Sequence, residues 1–193
     1  MIFLVRHGQT AANASGLLPG REDPPLTDLG VRQAAAAGPA VAGVSRVVTS
    51  PLRRARETAS ALGLAVPVEV DHRWTELDYG ELEGRRFAEV PTETWRRWRE
   101  DPTYSPPGGE SIDAVGRRVR DACEGLAVDS ASADVAVVSH VSPIKAAIAW
   151  ALGVGDEVAW RMFLDVASIS RVATGPQGPS LRSYNDTHHL SAL

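Results

Sequence analysis

The sequence has very little cysteine, since Cys123 is the only one among its 193 residues. One cysteine cannot form a disulfide within the chain or a thiolate cage for zinc, so we expect a reducing compartment and no structural metal. Basic residues are not in excess either, because 20 lysines and arginines face 24 aspartates and glutamates. Proteins that bind nucleic acid or acidic membranes need a strongly basic surface. The net charge of −4 therefore argues against both kinds of partner.

Long apolar runs are also missing. Residues 146–155 form the longest uncharged apolar stretch, about half of the roughly 20 residues that a membrane-spanning helix needs. The first five residues are apolar but lack a basic leader, and the run is too short for a signal peptide. We therefore expect no membrane span and a cytoplasmic location.

The residues that are present predict a globular α/β protein. The composition, with 44% apolar and 23% charged residues, is typical of a globular protein. The length suits one domain, so we expect a single domain over residues 1–193. Short apolar runs alternate with segments of helical spacing, which is typical of an α/β fold. The strand-like runs are residues 2–5, 46–49, 67–70, 135–139 and 167–173.

Hydroxyl residues mark the predicted helix starts. Thr27, Ser50 and Ser142 are expected to be N-caps, the last two with proline in the first helical position. Gly63 and Gly153 are expected to end two of the helices in the left-handed conformation.

Residues 111–126 have apolar side chains three and four positions apart, which predicts a helix with one buried stripe. Cys123 lies beside this stripe and is expected to be a small packed residue. Opposite charges four positions apart predict a solvated face whose ion pairs form within the helix. The predicted pairs are Asp113 with Arg117, Arg117 with Asp121, and Arg120 with Glu124.

Two histidines directly follow predicted strands. Arg6-His7-Gly8 comes after the first strand, and His140 comes after the run 135–139. In α/β sheets ligands collect at the carboxyl ends of the strands, so the histidines are candidates for one shared site. Each histidine alone could equally be a hydrogen-bonded structural residue. Their common position and the neighbouring arginine favour a functional role.

Charged residues follow the next two strands. Residues 50–59 open a helix and carry Arg53, Arg54 and Arg56. A helix N-terminus and arginine side chains both bind phosphate, and helical geometry lets one or two of the three face such a site. Four carboxylates lie between residues 76 and 84. One of them could protonate a departing alkoxide, while most are expected on the surface.

Six ordered blocks, which together cover nearly the whole chain, resemble the histidine phosphatase superfamily, also called the phosphoglycerate mutase-like family. Any one block is weak evidence, whereas their order along the chain is specific. The blocks are Arg6-His7-Gly8-Gln9-Thr10 with Asn13, Gly20-Arg21 followed by Pro25-Leu26-Thr27 and Gly30, Ser50-Pro51-Leu52-Arg53-Arg54-Ala55 with Thr58, Glu76 with Gly80 and Glu83-Gly84, Pro107-Gly108-Gly109-Glu110-Ser111, and Val138-Ser139-His140.

This resemblance implies a three-layer α/β sandwich, with a mostly parallel central sheet and helices on both faces. It implies that His7 is the nucleophile and that Glu76 is the general acid. The residues implied at the phosphate are Arg6, Asn13, Arg54 and His140, and those implied near the substrate are Thr10, Gly20, Arg21 and Val141. Many relatives have two glycines after the second histidine, where this chain has Val141-Ser142-Pro143, although Val141 keeps its backbone N–H as a donor.

The implied reaction needs neither a metal nor an organic cofactor. A neutral His7 can attack phosphorus while two arginines and His140 stabilise a metaphosphate-like transition state. Glu76 would protonate the leaving alkoxide, and water would then open the phosphohistidine. We therefore expect a metal-independent phosphatase that hydrolyses a small phosphate monoester.

Other functions stay open at this stage. A cofactor-dependent phosphoglycerate mutase and an α-ribazole phosphate phosphatase of cobalamin synthesis are alternatives within the family. A non-catalytic phosphate-binding regulator and a metal-dependent hydrolase are alternatives of other classes, although the chain has no His-x-x-x-His pair. Homodimer formation is also left open.

Trp95 and Trp98 lie three positions apart in an arginine-rich segment. Tryptophan and arginine together can stack on bases, but interleaved carboxylates argue against nucleic acid here. The shared helical face favours a lid over a pocket, with plain core packing as the alternative.

Overall fold

Six strands form one mixed sheet in the computed structural model, which describes residues 1–130 and 133–193. The strands are β1 (Ile2–Arg6), β2 (Arg46–Thr49), β3 (Val68–Val70), β4 (Val135–Ser139), β5 (Ile169–Ala173) and β6 (Ser180–Asp186). Their order across the sheet is β3-β2-β4-β1-β5-β6. Strands β1 to β4 run parallel, whereas β5 and β6 are antiparallel to their neighbours. The mostly parallel sheet is confirmed, and the predicted strand ends agree within two residues.

Helices cover both faces of the sheet. They are α1 (Ala11–Ala14), α2 (Asp28–Ala37), α3 (Arg53–Ala61), α4 (Thr92–Glu100), α5 (Ile112–Asp129) and α6 (Val141–Leu152). Short 3-10 helices are Gly38–Val41, His72–Trp74, Gly80–Leu82, Phe87–Glu89, Asp156–Arg161 and His188–Leu190. Successive strand residues point to opposite faces, so Leu4 packs in the core with α5 and α6, and Val5 in the core with α2 and α3. The three-layer sandwich is confirmed.

None of the helices in the described part of the chain is both long and apolar enough to cross a membrane. Helix α5 buries the predicted apolar stripe, and Cys123 is packed in the core as predicted.

The ion pairs of α5 are partly as predicted. Arg117 binds Asp113 within the helix, as expected, whereas Arg120 and Asp121 bind partners outside it. Arg120 bonds both carboxylate oxygens of Asp156 at 2.9 Å, and Arg73 bonds Asp121 at 2.5 Å. These partners belong to segments packed against α5. Helical spacing alone cannot reveal them.

The caps of the helices are partly as predicted. Thr27 is the N-cap of α2, and its hydroxyl accepts the Gly30 N–H at 3.0 Å. Gly63 and Gly153 have φ values of 68° and 65°, in the left-handed region that was expected of them.

The N-cap predictions for Ser50 and Ser142 are wrong. Helix α3 begins at Arg53, and its first N–H donates to the carboxylate of Asp23 rather than to Ser50. Helix α6 begins at Val141, so Ser142 is already its second residue. At both helix starts a carboxylate from a distant segment accepts the first N–H groups, Asp23 at α3 and Glu76 at α6.

The first turn of α2 packs backbone to backbone against the loop that follows β1. A Cβ atom on Gly30 would lie 2.2 Å from the carbonyl oxygen of Gln9, and one on Gly8 would lie 2.3 Å from that of Gly30. Only glycine permits such an approach at either position. The contact supports the segment that carries His7.

We expect Gly30→Ala to lower the free energy of unfolding by about 1–3 kcal/mol, the usual cost of overpacking. Urea unfolding measures the change. Gly125→Ala in α5 is the matched control, because an added Cβ there meets no described atom within 4 Å. Alanine favours helix over glycine, so the control is expected to gain up to about 1 kcal/mol. A Gly30→Ala protein as stable as the wild type would contradict the close approach.

Candidate active site

His7 and His140 lie side by side at the carboxyl edge of the sheet. Strands β1 and β4 pair in parallel with Arg6 opposite Ser139, so the residues that follow them reach the same place. The ring centroids are 5.1 Å apart, and the two residues are only 2% and 0% exposed. The juxtaposition expected from the strand positions is therefore present.

The backbone orients the imidazole of His7. Its Nδ1 lies 2.8 Å from the carbonyl oxygen of Gly8, so we assign the ring proton to Nδ1, and the lone pair of Nε2 stays free. The Gly8 N–H donates to the Thr58 hydroxyl at 3.0 Å, and that hydroxyl donates to the Arg54 carbonyl at 2.8 Å. Helix α3 thus fixes the loop of the candidate nucleophile.

Ser50 orients His140. Its Oγ lies 2.7 Å from Nε2 of His140 and accepts the Leu52 N–H at 3.3 Å. We assign the hydroxyl proton to the bond with Nε2, which leaves Nδ1–H of His140 as a donor. The sequence does not reveal this role of Ser50, because the two residues are 90 positions apart.

Backbone carbonyl groups hold the two candidate arginines. Nη1 of Arg6 donates to the Leu164 carbonyl at 2.5 Å, whereas Arg54 donates to the carbonyls of Glu22 and Gly20 at 2.6 and 2.7 Å. Neutral oxygens orient the guanidinium groups without neutralising them. Positive charge therefore stays available at the site.

Three buried nitrogen atoms near His7 have no hydrogen-bond partner within the described ranges, namely Nε of Arg6, Nε of Arg54 and Nδ1 of His140. Buried polar groups in proteins are almost always paired. Two guanidinium groups and an imidazole N–H match the oxygens of a phosphoryl group. Among the same described residues, no three His, Cys, Asp or Glu side chains are grouped so that they could hold a metal ion.

The carboxylate of Glu76 lies at the N-terminus of α6. It accepts the N–H groups of Val141 and Ser142 at 3.1 Å each, and that of Leu77 at 2.8 Å. Glu76 is 5% exposed, whereas the other acidic residues up to position 84 are partly or fully exposed. One buried carboxylate therefore adjoins the basic cluster.

Two residues outside the predicted site residues hold the segment that carries Glu76. The Ser139 hydroxyl donates to the Trp74 carbonyl at 2.7 Å, and Nη2 of Arg118 donates to the Glu76 carbonyl at 3.4 Å. Arg118 also binds the Glu110 carboxylate through two nitrogens, each at 2.9 Å. Arg118 belongs to none of the ion pairs predicted for α5. Its carboxylate partner comes from the loop before the helix.

Thr10 and Asn13 form a cap on α1. Oδ1 of Asn13 accepts the N–H and the hydroxyl of Thr10 at 3.0 and 2.9 Å, and the Thr10 hydroxyl accepts the Asn13 N–H at 3.2 Å. This pairing leaves the Asn13 amide NH₂ as a donor. Its contact with phosphate, and a substrate contact of Thr10, stay predictions.

Two of the other three predicted residues contact site residues. The Gly20 carbonyl binds Arg54, and the Val141 N–H binds Glu76. Arg21 is exposed and forms ion pairs with two carboxylates, those of Asp78 and Glu110. Direct contacts of these residues with a substrate stay predictions.

Burial lowers the pKa of His7 and of His140 well below the usual value of 6.5. The charges of Arg6 and Arg54 lower both pKa values further, because a second positive charge is unfavourable there. Burial also lowers the pKa of each arginine, and Glu76 opposes this change. The His7 imidazole is therefore neutral at physiological pH, as a nucleophile must be.

An apolar cavity of about 140 Å³ lies beside Glu76. Leu77 and Val141, whose N–H groups bind the Glu76 carboxylate, form part of its wall. Trp95 of α4 forms another part, and Trp98 packs behind it with ring centroids 5.7 Å apart. Helix α4 therefore covers the cavity with one tryptophan and completes the core with the other.

Comparison with known proteins identifies relatives of the whole chain. The model of the histidine phosphatase superfamily (branch 1) matches residues 2–187. Bifunctional protein Rv2228c of Mycobacterium tuberculosis is 42% identical over 198 residues, which cover 98% of this chain and 54% of the relative. The chain thus spans about half the length of that mycobacterial relative.

Two further matches cover nearly the whole length of this chain and of the similar protein. A probable phosphoglycerate mutase GpmB of Yersinia enterocolitica is 34% identical over 202 residues, 98% of this chain and 94% of the relative. Among solved structures, a mutant phosphoserine phosphatase of Entamoeba histolytica in complex with phosphoserine is 26% identical, with a TM-score of 0.90 over 98% of each chain.

We expect acid to destabilise the fold through its buried histidines. Their pKa values in the folded protein are depressed, whereas a histidine in the unfolded chain has a pKa of about 6.5. The unfolded chain therefore binds more protons than the folded protein once the pH falls toward 6.5. Stability is therefore complete above about pH 7 and falls by up to about 1.4 kcal/mol per pH unit for each histidine. Urea unfolding between pH 7.5 and 5 measures this slope, which is expected to be shallower for His140→Asn.

The matched control is His72→Asn, which removes an exposed histidine. Its slope is expected to follow that of the wild type. If His140→Asn also follows the wild type, the buried histidines do not account for the acid sensitivity.

Proposed function

The chain belongs to the histidine phosphatase superfamily, and on that premise we propose that it hydrolyses small organic phosphate monoesters through a phosphohistidine at His7. The observation that carries the proposal is the oriented, neutral imidazole of His7 beside three buried nitrogen atoms that have no partner among the described residues. A candidate nucleophile and candidate donors for a phosphoryl group thus lie together, which supports the proposal.

The first chemical step joins Nε2 of His7 to phosphorus and breaks the bond from phosphorus to the alcohol oxygen. Negative charge spreads over the phosphoryl oxygens in the loose transition state. The guanidinium groups of Arg6 and Arg54 and the Nδ1–H of His140 stabilise that charge. Because His7 is neutral, its approach meets no repulsion from the phosphate.

Glu76 donates the proton that the departing alcohol oxygen needs. Three backbone N–H groups hold its carboxyl group in place for this step. In the second step a water oxygen attacks phosphorus and the bond from phosphorus to Nε2 of His7 breaks. The Glu76 carboxylate accepts a proton from that water, and inorganic phosphate leaves.

A phosphoglycerate mutase is the second candidate, because one of the curated relatives carries that name. A mutase returns the phosphoryl group from histidine to a hydroxyl group instead of to water. Incubation with 3-phosphoglycerate, with and without a bisphosphoglycerate, distinguishes the two by their products, 2-phosphoglycerate or inorganic phosphate. A panel of other monoesters that includes α-ribazole phosphate tests the alternative of an α-ribazole phosphate phosphatase. Binding of these esters without turnover would indicate a non-catalytic regulator.

We expect His7→Ala to abolish both turnover and the incorporation of phosphate that is labile in acid and stable in base. The imidazole is the covalent carrier in the proposed reaction, so nothing replaces it. Radiolabelled substrate followed by acid or base treatment measures the phosphoenzyme. His72→Ala, on the surface, is the matched control and is expected to behave as wild type. Full activity of His7→Ala would overturn the mechanism.

We expect Glu76→Gln to slow alkyl phosphates by about 10²–10⁴-fold, the usual contribution of a general acid. Aryl phosphates are expected to lose far less, because phenolates leave without a proton. Glutamine also places an NH₂ group against backbone N–H donors, so the alkyl-to-aryl ratio within one preparation is the measurement that separates chemistry from folding. Equal losses for both ester types would assign Glu76 to positioning.

A further inference from the structure

The cavity beside Glu76 is where the alcohol part of a substrate would lie. Leu77, Val141 and Ser142 bind the Glu76 carboxylate through their N–H groups, and the same three residues line the cavity. A proton that leaves Glu76 therefore arrives at the cavity edge. The leaving oxygen must be at that edge, with the rest of the alcohol inside.

The size and chemistry of the cavity limit what fits. Its volume of about 140 Å³ resembles the ~150 Å³ engineered cavity that binds benzene, so it accepts one six-membered ring or a chain of similar size. The lining is predominantly apolar and aromatic. Its apolar members include Leu77, Phe87, Trp95, Val141 and Trp160.

Lys145 interrupts this apolar lining with a positive charge. It is the only lysine in the sequence, and its Nζ donates to the Ala159 carbonyl at 2.9 Å. Within residues 1–130 and 133–193, no carboxylate forms an ion pair with it. Asp156 also lines the cavity, but Arg120 binds both of its oxygens. The ammonium group thus lacks a matched anion.

Burial and neighbouring charges both affect the ammonium group of Lys145. Burial lowers its pKa, Arg6 lowers the pKa further, and Glu76 raises it. An anionic ligand group beside Nζ would favour the charged ammonium and offset the cost of its burial.

We propose that the substrate is a phosphate monoester whose alcohol part is a single ring, or a chain of equal size, carrying a carboxylate that binds Lys145. The proposal rests on the proposed function and makes Lys145 a specificity-determining residue. One ammonium matches one carboxylate. A second phosphate, with two negative charges, would need more donors than the apolar wall supplies.

Five aryl phosphates test the proposal, namely phenyl phosphate, its carboxylates at positions 3 and 4, and the two corresponding carboxamides. The wild type is expected to prefer a carboxylate over its carboxamide, and Lys145→Met to reduce that preference roughly 10- to 100-fold, the range for a charge-assisted hydrogen bond. The loss should lie in KM, because the contact is made equally in the ground state and the transition state. Comparing the two proteins on the same esters cancels differences between the leaving groups.

Lys145→Arg is the matched variant, since it keeps the charge and is expected to keep a preference for the carboxylate. A carboxylate preference that is the same in wild type and Lys145→Met overturns the proposal, as does a wild type that favours the carboxamide. Titration calorimetry with 3- and 4-hydroxybenzoate provides a readout independent of turnover. Binding that Lys145→Met loses, in a protein that hydrolyses no monoester, would uphold this inference while the proposed function fails.

Discussion

The parallel pairing of β1 with β4 determines where chemistry can occur in this molecule. With Arg6 opposite Ser139, each strand is followed by a histidine at the same edge of the sheet. Neighbouring strands lie about 4.8 Å apart, and the 5.1 Å between the rings of His7 and His140 follows from that spacing. A shift of register by one residue would turn one of the strands over, and the two rings would separate.

Positive charge is buried at this edge with little negative charge to balance it. Carbonyl oxygens hold Arg6 and Arg54, and Glu76 supplies a buried carboxylate whose oxygens already accept backbone N–H groups. Cations buried in this way reduce stability unless an anion joins them. Burial and the same positive charge lower the pKa of His7, which keeps the imidazole neutral. The reactivity that we propose and its cost in stability thus have one physical cause.

Helix α6 connects the proposed phosphate-binding residues with the cavity proposed for the alcohol part of the substrate. His140 is its N-cap, its first N–H groups bind Glu76, and Lys145 lies about one turn further along in the cavity wall. A single helix therefore sets the distances between His140, the Glu76 carboxyl group and the cavity. The substrate preference that we propose depends on the position of this helix.

The strand runs and the two histidines could be predicted from the sequence, because apolar runs form strands and the residues after them lie at the sheet edge. The orientation of His140 by Ser50 and the capping of α6 by Glu76 could not, since these contacts join residues 90 and 65 positions apart. Local patterns therefore settle which chemical groups the chain carries and at which edge of the sheet they lie. Their partners, directions and protonation depend on burial and on contacts between distant segments, which exist only once the chain has folded.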